Sequence, residues 1–173
     1  MSWQAAKSYR FHWAGMFTFD QRLIGDESTL AFGALLGRNL RSGDRLFLHG
    51  PLGAGKTTLV RGLMHGLEHP DSREVASPTF AIHHRYDGGR LSVDHLDLYR
   101  LTAPVDLAAE GLDTVIDDPS SVVVIEWPER LQIGSLSPTI SIHLTLLGEG
   151  SRGMRLTGRD GLESIRQSTS VLR

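Results

Sequence analysis

The sequence predicts a single α/β domain, and three observations predict it. A glycine-rich segment, Gly50-Pro51-Leu52-Gly53-Ala54-Gly55-Lys56-Thr57, sits between the apolar run Leu46-Phe47-Leu48 and the stretch Thr58 to Met64, whose apolar residues recur at helical spacing. A strand must therefore turn into a helix at these glycines. The run Val122-Val123-Val124-Ile125 is apolar on both alternating faces, as a fully buried central strand requires, and it ends on Glu126. At 173 residues and 40% apolar content, the chain can bury one sizeable core and needs no second domain.

The remaining elements follow in order. Residues 1 to 17 contain Trp3, Lys7, Tyr9, Arg10, Phe11, His12 and Trp13 and no acidic residue. They read as an extension ahead of a start near Met16, the alternatives being an RNA-contacting arm or a transit peptide. The domain proper is expected over 18–158. Asp26, Ser28 and Thr29 are candidate caps for a helix through about Leu40, with Leu30, Ala34, Leu35 and Leu36 as its buried stripe. Arg41 to Asp44 then turn the chain into the strand before the glycines.

Beyond the loop helix, His69-Pro70-Asp71-Ser72 ends the segment and a connection leads to Val75-Ala76-Ser77-Pro78-Thr79-Phe80. Strand-like runs at Ala81-Ile82 and Leu91 to Leu98, separated by Asp87-Gly88-Gly89, predict a hairpin. A helical stretch is expected at Val105 to Ala109, a strand at Thr139 to Leu147, and a paired strand around Met154 to Leu156. The Arg-containing stretch 159–173 reads as a tail, an exposed helix or frayed end.

Composition removes several function classes. A formal net charge of −2 argues against coating nucleic acid by bulk electrostatics, although it leaves room for a local basic patch. With no cysteine, disulfides, iron–sulfur clusters and thiolate zinc sites are excluded, and a cytoplasmic protein is expected. No apolar run approaches bilayer length, and the N-terminal stretch lacks the apolar core of a secretory signal, so no membrane association is expected.

The glycine segment is a full match to the phosphate-binding pattern G-x-x-x-x-G-K-[ST]. Glycines there accept positive φ and let successive N–H groups approach phosphate oxygens at the positive end of a helix dipole. Gly50, Pro51, Leu52, Gly53, Ala54, Gly55, Lys56, Thr57 and Thr58 are the candidate nucleotide-binding set. Lys56 is placed to bridge the β- and γ-phosphates, and the Thr57 hydroxyl to ligate Mg²⁺. The chain has two lysines, Lys7 and Lys56, yet keeps one here, where a planar guanidinium cannot replace a compact ammonium. The guanine-reading Asn-Lys-x-Asp pattern is absent, because the single Asn, Asn39, is followed by Leu40. ATP is therefore the expected nucleotide, with ADP as its product.

A Mg-nucleotide site also needs an acid at the end of a strand beside the loop, since Mg²⁺ takes hard oxygen ligands and keeps several waters. Glu126 fits, delivered by its apolar run to a sheet edge. Asp94 and Asp97 are a second source. They are separated by an odd number of strand positions and face opposite sides, so at most one serves, and spacing does not choose between them. Thr79 is a third candidate, in a segment placed to sense the γ-phosphate. Two histidine pairs are weaker. His65 and His69 have a zinc-compatible spacing but no third ligand, and His83 and His84 are strand neighbours facing opposite ways.

Four motifs in order, Gly50-Pro-Leu-Gly-Ala-Gly-Lys-Thr-Thr58, Val75-Ala-Ser-Pro-Thr-Phe80, His95-Leu-Asp-Leu-Tyr-Arg-Leu101 and Ile125-Glu-Trp-Pro-Glu129, give the chain a resemblance to the TsaE (YjeE) family. The loop alone is generic, whereas the other three are specific, and the match covers about Leu23 to Leu147. The resemblance implies a single-domain P-loop NTPase fold with a mixed central sheet flanked by helices. It also implies Mg-ATP binding with weak hydrolysis that depends on a TsaB–TsaD complex, serving threonylcarbamoyladenosine formation in tRNA, with the tRNA itself met indirectly.

On that resemblance Lys56 and Thr57 match the phosphate and Mg²⁺ ligands. Asp97 matches the acid of the His-x-Asp motif, which selects it over Asp94, and Glu126 matches the strand-end acid that assists Mg²⁺ binding and hydrolysis. Thr79 falls in the switch segment, and Trp127 follows Glu126 as in the family. Lys56, Asp97, Glu126 and Thr79 are thus the candidate catalytic set, with Thr57, Glu126 and Asp97 at the metal. Pro51 departs from the acidic residue common in the family and removes one N–H donor from the loop. The competing readings are a P-loop small-molecule kinase, for which no Arg-bearing lid is evident, and a nucleotide-binding interaction module.

Overall fold

A computed structural model describes residues 17–132, 134–148 and 150–169. Seven strands form one mixed sheet: β1 (Phe17–Ile24), β2 (Arg45–His49), β3 (His83–Tyr86), β4 (Ser92–Asp97), β5 (Ser121–Glu126), β6 (Ile140–Gly148) and β7 (Ser151–Gly158). Their spatial order is β1-β7-β6-β2-β5-β4-β3. The central four, β6, β2, β5 and β4, run parallel, while β1 and β7 at one side and β3 at the other are antiparallel to their neighbours. Every residue of β5 is buried, as its unbroken apolar run requires of a strand covered on both faces.

One face of the sheet packs against α1 (Gly25–Asn39) and α2 (Lys56–Gly66), with Leu46, Leu48, Val93, Val122, Val124, Ile140 and Ile142 in that core. On the opposite face Phe47, Leu96, Val123 and Ile125 meet Val105, Leu107, Leu112 and Leu131. The two helices are joined through glycines on both. A Cβ at Gly33 would lie 2.4 Å from Leu59 O and one at Gly37 would lie 2.3 Å from Leu63 O. From the other side, a Cβ at Gly62 would lie 2.3 Å from Leu30 O and one at Gly66 would lie 2.0 Å from Ala34 O. Helix backbones thus touch directly, and α2, which begins at the phosphate-loop lysine, is seated flush on α1.

Several expectations change. α1 begins at Gly25, so Asp26, Ser28 and Thr29 lie within its first turn; Ser28 and Thr29 hydroxyls donate back to Gly25 O at 3.3 and 3.2 Å. Its buried stripe is Thr29, Phe32, Gly33, Ala34, Leu36 and Gly37, with Leu30 and Leu35 only part-buried, because the glycines mark the side that meets α2. β1 was not expected from the sequence; its polar residues, Asp20, Gln21 and Arg22, interrupt the apolar signal, but it pairs with β7 from Phe17↔Gly158 to Ile24↔Ser151. Of the expected N-terminal extension, residues 1–16 lie outside the described residues.

The hairpin forms as β3 and β4, starting at His83, since Ile82 adopts a positive φ of 66°. The helix expected at Val105 to Ala109 does not form. Val105 instead pairs as an extended residue, its N–H donating to Arg130 O at 2.7 Å and its C=O accepting from Gln132 N at 2.8 Å. The helix that follows is α3 (Asp113–Ile116), a single turn. The C-terminal stretch is not wholly exposed, because Leu162 and Ile165, at the start of α4 (Glu163–Thr169), are fully buried in the first core.

Two stability outcomes follow. Gly66→Ala forces α1 and α2 apart and is expected to lower unfolding free energy by about 1–3 kcal/mol in urea or thermal denaturation. Ile165→Ala is expected to cost about 2–5 kcal/mol by the same measurement, as a buried anchor does and an exposed terminal residue does not.

Candidate functional site

The loop between β2 and α2 is built by close backbone approach. Gly50 has φ 142° and a Cβ there would sit 2.6 Å from Leu144 O; Gly55, the residue before α2, has φ 96° and a Cβ there would sit 2.7 Å from Arg152 Nε. Glycine is required at Gly50 by both the dihedral and the backbone of Leu144, and is favoured at Gly55 by the dihedral. The Ala54 N–H closes the turn on Pro51 O at 3.1 Å. Pro51 therefore serves the loop through its carbonyl, having no N–H to offer. Arg152 of β7 lies against Gly55 and is itself held by α1, donating to Gly25 O at 3.0 Å and pairing with Asp26 at 2.5 Å.

Lys56 points back into this loop. Its ammonium donates to Gly50 O at 2.8 Å and Pro51 O at 3.1 Å, and lies 4.1 Å from the centroid of the Trp127 ring. Burial lowers its pKa from the ordinary lysine value, partly offset by Glu126, Glu129 and Asp97. Trp127 reaches this position by taking a left-handed conformation, φ 61° and ψ 45°, directly after β5, with its N–H donating to Leu48 O at 3.3 Å. Left-handed backbone at a bulky residue carries strain and here turns the indole over the loop.

Two carboxylates end neighbouring parallel strands. Asp97 of β4 and Glu126 of β5 are direct register partners, so both reach the same sheet edge on the α2 face. Glu126 Oε1 accepts the Thr57 hydroxyl at 3.0 Å and faces His95 Nε2 at 3.0 Å. Asp97 Oδ2 accepts the Thr79 hydroxyl at 2.7 Å and that of Ser77, while Oδ1 accepts the Tyr99 N–H at 2.9 Å. The 75–82 segment is thereby fastened to Asp97, and it is closed by Ile82, a β-branched residue at positive φ whose carbonyl accepts the Asp97 N–H at 2.9 Å. Asp94 faces the other way, held by His83 at 2.8 Å and Arg85 at 3.1 Å, as the strand period demands.

Lys56, Thr57, Thr79, Asp97, Glu126 and the loop from Gly50 to Thr58 therefore lie along one edge, with Leu52 exposed at its tip. Sequence reasoning assigned no role to Ser77, His95, His49, Arg152 or Glu129. His95 stands two residues from Asp97, the spacing that shares a strand face, and Ser77 two residues from Thr79 in the same quoted motif; those were the available signals. His49 Nδ1 lies 3.4 Å from Glu129 Oε2 and stacks on His143 at 4.1 Å. Desolvation pushes the Glu129 carboxyl upward, but hydrogen bonds from His49 and its own backbone and the charges of His49 and Lys56 outweigh it and leave the pKa lowered. Desolvation, then the charges of His49 and Arg155, lower His143 to about 4. His69, from the zinc-spaced pair, is buried with Nδ1 accepting the Asp71 N–H at 3.2 Å. Among the described residues no group of three His, Cys, Asp or Glu side chains is arranged to hold a metal ion by protein ligands alone.

A loop with inward-facing backbone, one buried ammonium, a hydroxyl and two strand-end carboxylates is the equipment of a phosphate-handling site. Comparison with known proteins gives the family. Residues 24–154 match the family model described as threonylcarbamoyl adenosine biosynthesis protein TsaE. A protein of Nostoc sp. named tRNA threonylcarbamoyladenosine biosynthesis protein TsaE is 40% identical over 141 residues, covering 78% of this chain and 83% of its own length. One of the same name from Treponema pallidum is 37% identical over 126 residues, covering 73% and 90%. The crystal structure of YdiB from Bacillus subtilis superposes with a TM-score of 0.66 at 27% identity, covering 90% of this chain and 95% of that one, and the shared fold is that of a P-loop NTPase. With the motifs, the sheet and the loop in agreement over most of its length, the chain belongs to the TsaE family.

Proposed function

We propose that this protein is the Mg²⁺-dependent ATP-binding and ATP-hydrolysing component of the machinery that makes threonylcarbamoyladenosine at adenosine 37 of tRNA. Its nucleotide state cycles its association with a TsaB–TsaD complex in the cytoplasm, and tRNA is reached through that complex. Membership of the TsaE family supports the pathway. The observation that carries the chemistry is the 3.0 Å contact between Thr57 Oγ1 and Glu126 Oε1, which joins the phosphate loop to the acid at the end of β5. Among the described residues no helix is long and apolar enough to cross a membrane.

The side chains present suit Mg-ATP. The Thr57 hydroxyl, Glu126 and Asp97 offer hard oxygen donors, and few protein ligands are needed for an ion that keeps waters and shares phosphate oxygens. Mg²⁺ when bound supplies charge neutralisation and polarisation of the phosphate. Backbone N–H groups of the loop hold the phosphates. Lys56 leaves the carbonyls of Gly50 and Pro51 to bridge phosphate oxygens, where its charge offsets the charge that develops in the transition state. Thr57 donates its proton to Glu126 and keeps its lone pairs for the metal side. Glu126 orients the attacking water and takes up its proton, while Thr79 and Asp97 register the γ-phosphate through the 75–82 segment.

Phosphate release, measured with and without the TsaB–TsaD pair, tests this reading. Wild-type protein is expected to be slow alone and faster with the pair, and removal of divalent metal by EDTA to arrest both. Glu126→Ala is expected to keep nucleotide affinity within about tenfold while losing about 100-fold or more in turnover. Lys56→Ala is expected to lose nucleotide binding in calorimetry. Rapid turnover without the pair, with the phosphoryl group passed to a small metabolite, would replace this reading with that of a kinase.

A further inference from the structure

We infer that His95 is a positioning residue that holds the Glu126 carboxylate in place through its Nε2–H. The inference rests on the proposed role of Glu126. His95 is fully buried on β4, and its side chain lies on the same strand face as Asp97. Its one polar contact is Nε2 to Glu126 Oε1 at 3.0 Å; Nδ1 is buried and has no hydrogen-bond partner among the described residues. An ionised carboxylate only accepts, so Nε2 is the nitrogen that donates.

A buried imidazole with one nitrogen orphaned is a poor filler. An unpaired buried polar atom costs about 1–3 kcal/mol, whereas a Leu of similar volume on the same strand would pack beside Val93 and Val124 without that cost. Packing does not explain the residue, and its one hydrogen bond does. That bond completes a chain across three elements, from His95 on β4 through Glu126 on β5 to Thr57 on α2, with both donors converging on the same oxygen. Two donors on Oε1 fix the plane of the carboxylate. No donor among the described residues is paired with Oε2, so this arrangement leaves that oxygen for the reacting side. His95 touches neither nucleotide nor water in this role; it acts through Glu126, as partners of site carboxylates do elsewhere.

The test separates orientation from packing. His95→Gln retains an amide N–H at about the reach of Nε2, and His95→Leu retains only bulk. With the TsaB–TsaD pair present, His95→Leu is expected to lower kcat about 10- to 100-fold with KM for ATP changed less than about threefold, and His95→Gln to recover most of kcat. Nitrogen NMR of histidine-labelled protein without nucleotide gives a readout independent of turnover. The proton is expected on Nε2 of His95, with its resonance displaced by Glu126→Gln. An Nε2 without a proton, or a His95→Leu protein with wild-type kcat, would overturn the inference. Should wild-type protein prove inert toward ATP, the hydrolysis reading falls and the nitrogen spectrum alone decides the His95–Glu126 bond; the same spectrum decides it should His95→Leu not fold.

Discussion

The site depends on the parallel pairing of β5 with β2 on one side and β4 on the other. Parallel neighbours end at the same edge, so the chain leaving β2 enters the glycine loop within reach of the last residues of both other strands. Direct register between Asp97 and Glu126 then places two carboxylates side by side, and the loop supplies Lys56 and Thr57 opposite them. An antiparallel β5 would have carried Glu126 to the far edge. The loop would still have formed, but with no acid behind its hydroxyl.

Around that frame, two residues beside the chemistry are held in costly conformations, while a third non-glycine residue at positive φ, Glu68, lies just beyond the far end of α2. Trp127 takes a left-handed backbone directly after Glu126 and covers the Lys56 ammonium; Ile82 takes one at the end of the segment whose hydroxyls sit on Asp97. Each is fixed by hydrogen bonds to strand backbone, Trp127 N to Leu48 O and Asp97 N to Ile82 O. The core provides the rigidity against which these two turns are strained.

Much of this was legible in the amino-acid order. The loop, the all-apolar β5 and the second strand of the hairpin announce themselves through local pattern, the first strand lying just beyond the Ala81-Ile82 run, and strand period alone separates Asp94 from Asp97. The resemblance then chose Asp97, and its place beside Glu126 is consistent with that choice. The unread parts share a cause, because each is decided by something distant in sequence. β1 is stabilised by β7, more than a hundred residues away, and α4 by apolar anchors that only the assembled core explains. Val105 reads as helical locally yet is claimed by Arg130 and Gln132. Ser77 and His95 lay inside the quoted motifs, but their partners, Asp97 and Glu126, were set by the fold. The spacings Gly33–Gly37 and Gly62–Gly66 were in plain view, and a four-residue glycine repeat on both helices was a signal of close approach that periodicity of apolar residues could not register.

That glycine seam also bears on how the two walls of the site are held. Glycines have no side-chain torsions to freeze, so at these four positions the two helices gain contact without loss of rotamer entropy. Helix α2, with Lys56 and Thr57 at its head, is thus seated backbone to backbone on α1. Across the site the 75–82 segment is held by ties of another kind: Val75 is buried in the core with its carbonyl accepting from Arg61, the Ser77 and Thr79 hydroxyls sit on Asp97, and Arg100 stacks on the exposed Phe80 ring. One wall of the site is a seam of backbone on backbone and the other a set of side-chain ties.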